Sequence, residues 1–425
     1  MNPEKKRVWI GMLILATGLG TGFARSDKAR KIDEYIHPFA EAGHFSGVVL
    51  ASESGRVIYE KAFGLANADF KVPNRLDTRF GIASITKLMT QVILNRLIDE
   101  RKIGPADPVS KFIPDFPEGG KITVEMLARH RSGIPHRVMP PEAESQAYAS
   151  AEFVEKVKAA KLEFEPGTQR LYSSAGYSVL ARILEIVSAR PYARLLQDDV
   201  FGPAGMTDSL DFDGEMIMER RAQDYLLEAG GWINAPLKDY SFLVGAGSVF
   251  GTARDVHRFG LAVVNGTFGE RTRADLFGSK AFTASGSTNG HRAELEIALG
   301  KKYGYVLVSN LNCGSIDRIL SAVGAILQDK DPGPAIVPAP KITAETVAGP
   351  GDCAGVYRRE DGTRMEISLR RGRLYSGEIR LHPIGPDLYF EFKYYGTVRF
   401  PRDAAGRVAR MEWTGPGFSL IGVRL

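Results

Sequence analysis

The chain has 425 residues, 44% of them hydrophobic and 25% charged, with a formal net charge of +5. That length exceeds one ordinary hydrophobic core and points to two or three domains. The composition excludes a disordered or collagen-like chain, and no Lys/Arg-rich run suggests a nucleic-acid-binding arm.

Met1–Ala24 reads as an export signal. Lys5, Lys6 and Arg7 precede an apolar stretch from Val8 to Gly22, and Gly22-Phe23-Ala24 places small residues for cleavage after Ala24. The stretch is short for a membrane span, and no other segment is long and apolar enough for one. The expected location is secreted or periplasmic, with no integral membrane segment once the signal is removed.

Helical spacing follows from Lys31 to Gly43. Ser46–Ala51 and Arg56–Lys61 read as paired strands around a turn at Glu53-Ser54-Gly55. Ser84–Arg101 is a strong helix, with Leu88, Val92, Leu94, Leu97 and Ile98 as its apolar face. A mostly helical stretch, about 106–243, follows, with its clearest helix at Tyr177–Ser188. Lys302–Asn310 returns to strand character and Ile316–Leu327 closes with a helix. Strand and helix at both ends of a helical insertion predict an α/β (α+β) sandwich over 25–330.

Pro332, Pro334, Pro338 and Pro340 mark a linker over 331–345. Beyond it, Met365–Leu369, Leu388–Tyr394, Thr397–Phe400 and Val408–Trp413 are short strands. They predict a small all-β, barrel-like domain over 346–425. Cys313 and Cys353 are the only cysteines. An oxidising compartment would permit one disulfide, but the two fall in different predicted domains.

The chemistry centres on Gly81-Ile82-Ala83-Ser84-Ile85-Thr86-Lys87. Residues three apart share a helix face, so Lys87 reaches the Ser84 hydroxyl. A serine needs a base to become a nucleophile, and burial turns a lysine into one by disfavouring its charged form. Alone, Ser-x-x-Lys is common on surface helices.

Context decides. Phe45–Val49, Asp77–Ser84, Ile122-Thr123-Val124, Leu127–Pro135, Phe164–Gly167 and Ala246–Asp255 occur in order and at spacings that resemble the class C β-lactamase and penicillin-binding-protein-like serine hydrolases. The resemblance covers roughly 30–330. It implies a mainly antiparallel sheet flanked by helices, and it makes Ser84 the nucleophile and Lys87 its base. The family's Tyr-x-Asn motif corresponds to Tyr172-Ser173-Ser174. Tyr172 is then the partner base and later acid, and Ser174 stands where an amide residue is usual. The third motif corresponds to Ala284-Ser285-Gly286-Ser287. The resemblance gives the backbone N–H groups of Ser84 and Ser287 as oxyanion hole, and Ser174, Ser285 and Gly286 as substrate-binding residues. Ala284 replaces the usual Lys or His, which removes a cation from the site. His291 and Arg292 are read as surface residues, or else as substitutes for that cation. His130, inside a family landmark, is read as structural. The β-domain resembles lipocalin-like barrels appended to these hydrolases.

No His/Glu/Cys spacing suggests a metal site, no Gly loop suggests a phosphate site, and no cofactor is implied. The expected function is an acyl-enzyme serine hydrolase acting on a small-molecule ester, amide or peptide. The alternatives are a β-lactamase or D-Ala-D-Ala carboxypeptidase, and a catalytically degenerate binding protein. Oligomeric state is not readable.

Overall fold

The computed structural model describes residues 27–278, 280–342 and 350–425. The expected signal, Met1–Ala24, lies outside the described residues, as does part of the 331–345 linker. Among the described residues no helix is long and apolar enough to cross a membrane.

A five-stranded antiparallel sheet runs in the order Ala281–Ser287, Arg292–Ala298, Tyr303–Ser309, Gly47–Glu53, Arg56–Phe63. Its central strands are almost wholly buried because both faces are covered. Side chains alternate across a strand, so Val48 and Leu50 enter one core while Val49 and Ala51 enter the other. The second core holds the Asp27–Glu41 and Ser315–Leu327 helices. In the first of these, Ala29, Ile32, Ile36 and Phe39 recur at helical spacing and are fully buried. The first core holds the Ile85–Asp99 and Ala253–Val264 helices and most of the helical region. This is the sandwich expected from the sequence.

Helix starts follow local chemistry. The side chains of Thr123, Ser173 and Thr252 each accept a backbone N–H from three residues on, which satisfies donors that the helix leaves orphaned. The 106–243 stretch contains the Val124–Ala128, Ser150–Lys158 and Ser174–Ser188 helices, and also a hairpin, Tyr225–Glu228 with Gly231–Asn234. The Ile85–Asp99 helix differs from its expected form. It is central rather than amphipathic: Lys87, Thr90, Gln91 and Asn95 are buried beside the apolar residues. Leu88 and Ile98, expected on the apolar face, are only partly buried.

The C-terminal strands close into an eight-stranded antiparallel barrel, Gly355–Arg359 to Phe418–Arg424. Tyr357, Ile367, Leu374, Leu381, Tyr389, Val398, Met411 and Trp413 fill it. Four of its strands went unread in the sequence, Gly355–Arg359, Arg373–Ser376, Ile379–Gly385 and Phe418–Arg424. Cys313 and Cys353 are both free and buried. They belong to separate cores, one beneath the sheet and one inside the barrel, so no disulfide joins them.

The barrel docks on the sandwich through the Leu388–Glu391 strand and the turn that follows it. Phe390, Phe392 and Tyr395 join the core of the terminal helices. The Phe392 carbonyl accepts from Gly314 N at 2.9 Å, and the Tyr395 hydroxyl lies 2.7 Å from His44 Nδ1. Glu228 adds a polar clasp to His382 at 2.9 Å and to Arg380 at 3.3 Å.

Candidate active site

Ser84 is the N-cap of the Ile85–Asp99 helix. The preceding Ala83 is buried at φ +47°, a left-handed conformation that non-glycine residues adopt at a cost. That turn swings the chain from the Phe80-Gly81 strand into the helix and leaves Ser84 at the cavity wall.

One turn on, Lys87 Nζ donates to Ser84 Oγ at 3.3 Å, to Ser174 Oγ at 3.1 Å and to the Ala246 carbonyl at 2.7 Å. No carboxylate is paired with it among the described residues. Burial alone brings its pKa down from 10.5 to about 7. The Tyr172 hydroxyl lies 2.7 Å from Ser84 Oγ. Burial pushes that phenol above its usual value, partly offset by the Ser84 hydrogen bond. Lys87 Nζ also stands 4.9 Å from the centre of the Tyr172 ring. Ser84, Lys87, Tyr172 and Ser174 therefore come together from two helices and the loop between landmarks.

Two histidines fix Tyr172 in place. Its ring sits 4.6 Å from that of His130 and 5.4 Å from that of His136. Their Nδ1 atoms accept from the backbone N–H groups of Ser173 and Ser174, at 3.2 and 3.3 Å. They thus cap the Ser174–Ser188 helix. Burial, then the nearby Lys87 charge, lowers each pKa to about 4. Both rings are neutral acceptors near pH 7, which spares Lys87 two cationic neighbours.

The opposite wall is the edge strand Ala281–Ser287. Its burial alternates: Ala284 and Gly286 face in, Ser285 and Ser287 face out. Gly286 is required, since a Cβ there would stand 2.1 Å from the Ile82 carbonyl and 2.9 Å from the Ser84 nitrogen. This brings the strand's backbone against the start of the Ser84 helix. Ser287 lines the cavity, and its hydroxyl accepts from Asn312 Nδ2 at 2.9 Å. Ser285 does not line it; its hydroxyl donates to Glu294 at 2.7 Å. Ala284 is packed into the main core and adds no polar atom to the cavity.

His291 and Arg292 correct the sequence reading. Neither lines the cavity. His291 is fully buried, 2.7 Å from Asp224 and ringed by Phe80, Phe250 and Tyr240. Arg292 is held by Glu294 at 2.5 Å and Asp317 at 2.9 Å. Both side chains are engaged by carboxylates inside the fold and away from the cavity, so neither replaces the cation missing at Ala284.

The cavity measures about 230 Å³. Besides the residues above, its walls include Arg137, Glu144, Lys238, Thr288, Asn289 and, from the barrel, Lys393. Lys238 pairs with Glu144 at 2.6 Å. These residues were not singled out in the sequence, because they arrive from separate loops without a shared motif.

The family model for beta-lactamase matches residues 32–315. The chain belongs to the beta-lactamase family. Members of this family are serine hydrolases, among them penicillin-binding-protein-like carboxypeptidases. PbpX of Bacillus subtilis (strain 168), named as a penicillin-binding protein, is 28% identical over 274 residues, 62% of this chain and 68% of the relative. AmpH of Escherichia coli (strain K12), a D-alanyl-D-alanine-carboxypeptidase/endopeptidase, is 27% identical over 263 residues, 57% of this chain and 63% of the relative. The match thus spans less than two thirds of AmpH. Among solved structures, the octameric penicillin-binding protein homologue from Pyrococcus abyssi superposes with a TM-score of 0.62. It covers 92% of this chain and 99% of its own at 20% identity, a likeness of fold.

Proposed function

We propose that this beta-lactamase-family protein is a serine hydrolase that works through an acyl-enzyme on Ser84. The observation that carries this reading is the placement of Ser84 Oγ between Tyr172 OH at 2.7 Å and Lys87 Nζ at 3.3 Å. Lys87 is the base, since burial brings its pKa to about 7. Neutral Lys87 takes the Ser84 proton, directly or through Tyr172, and Ser84 Oγ attacks the substrate carbonyl. The backbone N–H groups of Ser84 and Ser287 receive the oxyanion. One such donor is worth about 3 kcal/mol. The N–H of Ser84 opens a helix, where partial positive charge favours that oxyanion. Tyr172 returns the proton to the leaving group. Water, deprotonated by the same pair, then frees Ser84.

Esters and small peptide or amide substrates suit the site better than β-lactams, because Ala284 leaves the third motif without its cation. Ser174 lines the cavity with its hydroxyl, while Gly286 does not line it and acts by letting the edge strand approach Ser84 closely. The Met1–Ala24 leader supports export and a secreted or periplasmic enzyme. Its domains are the hydrolase unit over 25–330, the linker over 331–345 and the barrel over 346–425.

Intact mass after exposure to a fluorophosphonate and to a penicillin tests the reading. A fluorophosphonate adduct that disappears in Ser84→Ala is expected. A long-lived penicillin adduct would shift the substrate to that of a β-lactamase or D-Ala-D-Ala carboxypeptidase. No adduct with either reagent would sink the enzyme reading and leave a binding protein.

A further inference from the structure

The cavity beside Ser84 carries more positive charge than its own carboxylate can match. Arg137, Lys238 and Lys393 line it, against Glu144 alone. Lys238 is the nearest to Glu144, at 2.6 Å, while Arg137 Nε stands 3.8 Å from the same carboxylate. Lys393 has no carboxylate within ion-pair distance among the described residues, and its Nζ lies 5.6 Å from the centre of the Tyr394 ring.

The position of Lys393 is built rather than incidental. It lies in the turn between the Leu388–Glu391 and Gly396–Arg399 strands. The adjacent Glu391 would be its natural partner, but its carboxylate is spent on the turn itself. It accepts from Tyr394 N at 2.9 Å, Gly396 N at 2.8 Å and Trp413 Nε1 at 3.4 Å. Phe392 and Tyr395, on either side of Lys393, are the residues that anchor the barrel to Gly314 and His44. The docking contact therefore delivers Lys393 to the cavity. A second, smaller cleft continues from there along the seam between barrel and sandwich, sharing Asn289 and Lys393 with the Ser84 cavity.

A half-buried ammonium without a counter-ion is costly, and an arriving anion offsets that cost. Burial lowers the Lys393 pKa, and Arg292 and Arg137 push the same way against Glu391 and Glu378.

We propose that Lys393 of the barrel and Arg137 of the sandwich form a subsite for a carboxylate carried by the substrate. The inference rests on acyl transfer at Ser84 and names its substrate class: esters or amides bearing a free carboxylate near the scissile bond. It also gives the barrel a function, which is to complete the specificity pocket of the hydrolase.

The test compares matched esters in the full-length protein. For a carboxylate on the acyl side, the pair is 4-nitrophenyl hemisuccinate and 4-nitrophenyl butyrate. For one on the leaving group, the pair is the acetyl ester of 3-hydroxybenzoate and that of its methyl ester. The readout is the charged-to-neutral ratio of kcat/KM. Lys393→Met should lower that ratio about tenfold for one pair, the size of a lost charge-assisted hydrogen bond. Lys393→Arg should retain it, and the pair that responds tells which side bears the carboxylate. In the unaltered protein the ratio should fall as salt is added. That arm, with Arg137→Gln, keeps the test independent of whether Lys393→Met folds. An unmoved ratio for both pairs in Lys393→Met, or a ratio flat with salt, overturns the subsite. Fluorophosphonate labelling of Ser84 separates the two levels. Labelling with an unmoved ratio removes the subsite alone; no labelling and no turnover of any ester removes the hydrolase reading and the subsite with it.

Discussion

Gly286 backs onto Ser84 so closely that a Cβ at position 286 would stand 2.9 Å from the Ser84 amide nitrogen. The same atom would fall 2.1 Å from the Ile82 carbonyl, which is backbone and cannot rotate away. Gly286→Ala must therefore push the edge strand off the helix start and separate the N–H groups of Ser84 and Ser287. The expected loss in kcat is about a hundredfold, the size of removing one oxyanion donor. Steady-state kinetics alongside a melting curve checks it. Wild-type kcat in Gly286→Ala would mean that these two amides do not act together.

Lys87 should trade stability for activity. Its folded pKa of about 7 lies below the ordinary 10.5, and burial is the cause. Between these two values the unfolded chain binds the proton that the folded protein has released. Stability from this group therefore rises with pH across that window, and the full penalty for charged, buried Lys87 is felt below it. Lys87→Met keeps the stem and removes the charge. Its melting temperature at pH 6 should exceed that of the unaltered protein, while ester turnover falls by about a thousandfold or more. Melting curves at pH 6 and pH 9 test this; an advantage that does not shrink at the higher pH contradicts it.

The same pKa sets the pH profile of activity. If neutral Lys87 is the base, kcat/KM rises as pH passes through about 7. Tyr172 must keep its proton to serve the leaving group, and its phenol is held above the usual value. A plateau should then extend past pH 10, the ordinary phenol range. Tyr172→Phe should lower turnover about a hundredfold and leave the acidic limb in place. A rising limb that moves with Tyr172→Phe would reassign the base to the phenol.

What the sequence disclosed, and what it withheld, divides by range. Ser84, Lys87 and Tyr172 lie in ordered landmarks, each recognisable within a few residues. The Ser174–Ser188 helix was read only from Tyr177, because its first turn, Ser174-Ala175-Gly176, is made of small residues that carry no apolar spacing. The barrel strands were read where apolar residues alternate, as at Val408–Trp413. Arg373–Ser376 escaped because it is only four residues long with Leu374 alone buried, and Phe418–Arg424 because its apolar Ile421 and Val423 face outward while Gly422 is the buried position. His291 misled for a different reason. It follows Gly290 at the end of a motif, and nothing local signals that Asp224, 67 residues earlier, closes over it. Lys393 was least legible, since its place depends on how one unit docks on another.

That docking makes the last prediction. A Cβ on Gly314 would stand 2.7 Å from Tyr394 C, from Tyr395 N and from the Tyr395 ring. Two of these are backbone atoms of the turn that carries Lys393, so Gly314→Ala cannot be absorbed by a rotamer change. The turn must lift, which breaks the Gly314 N to Phe392 O bond of 2.9 Å and strains the Tyr395 contact with His44. Gly314 lies far in sequence from Ser84 and lines neither cleft. Its substitution should therefore act through Lys393: the charged-to-neutral ester ratio falls as in Lys393→Met, while fluorophosphonate still labels Ser84. Limited proteolysis should also cut the 331–345 linker faster, because the barrel is held less firmly. A double variant, Gly314→Ala with Lys393→Met, should lower the ratio no further than Lys393→Met alone. An additive loss would mean that the docking turn and Lys393 influence the site by separate routes.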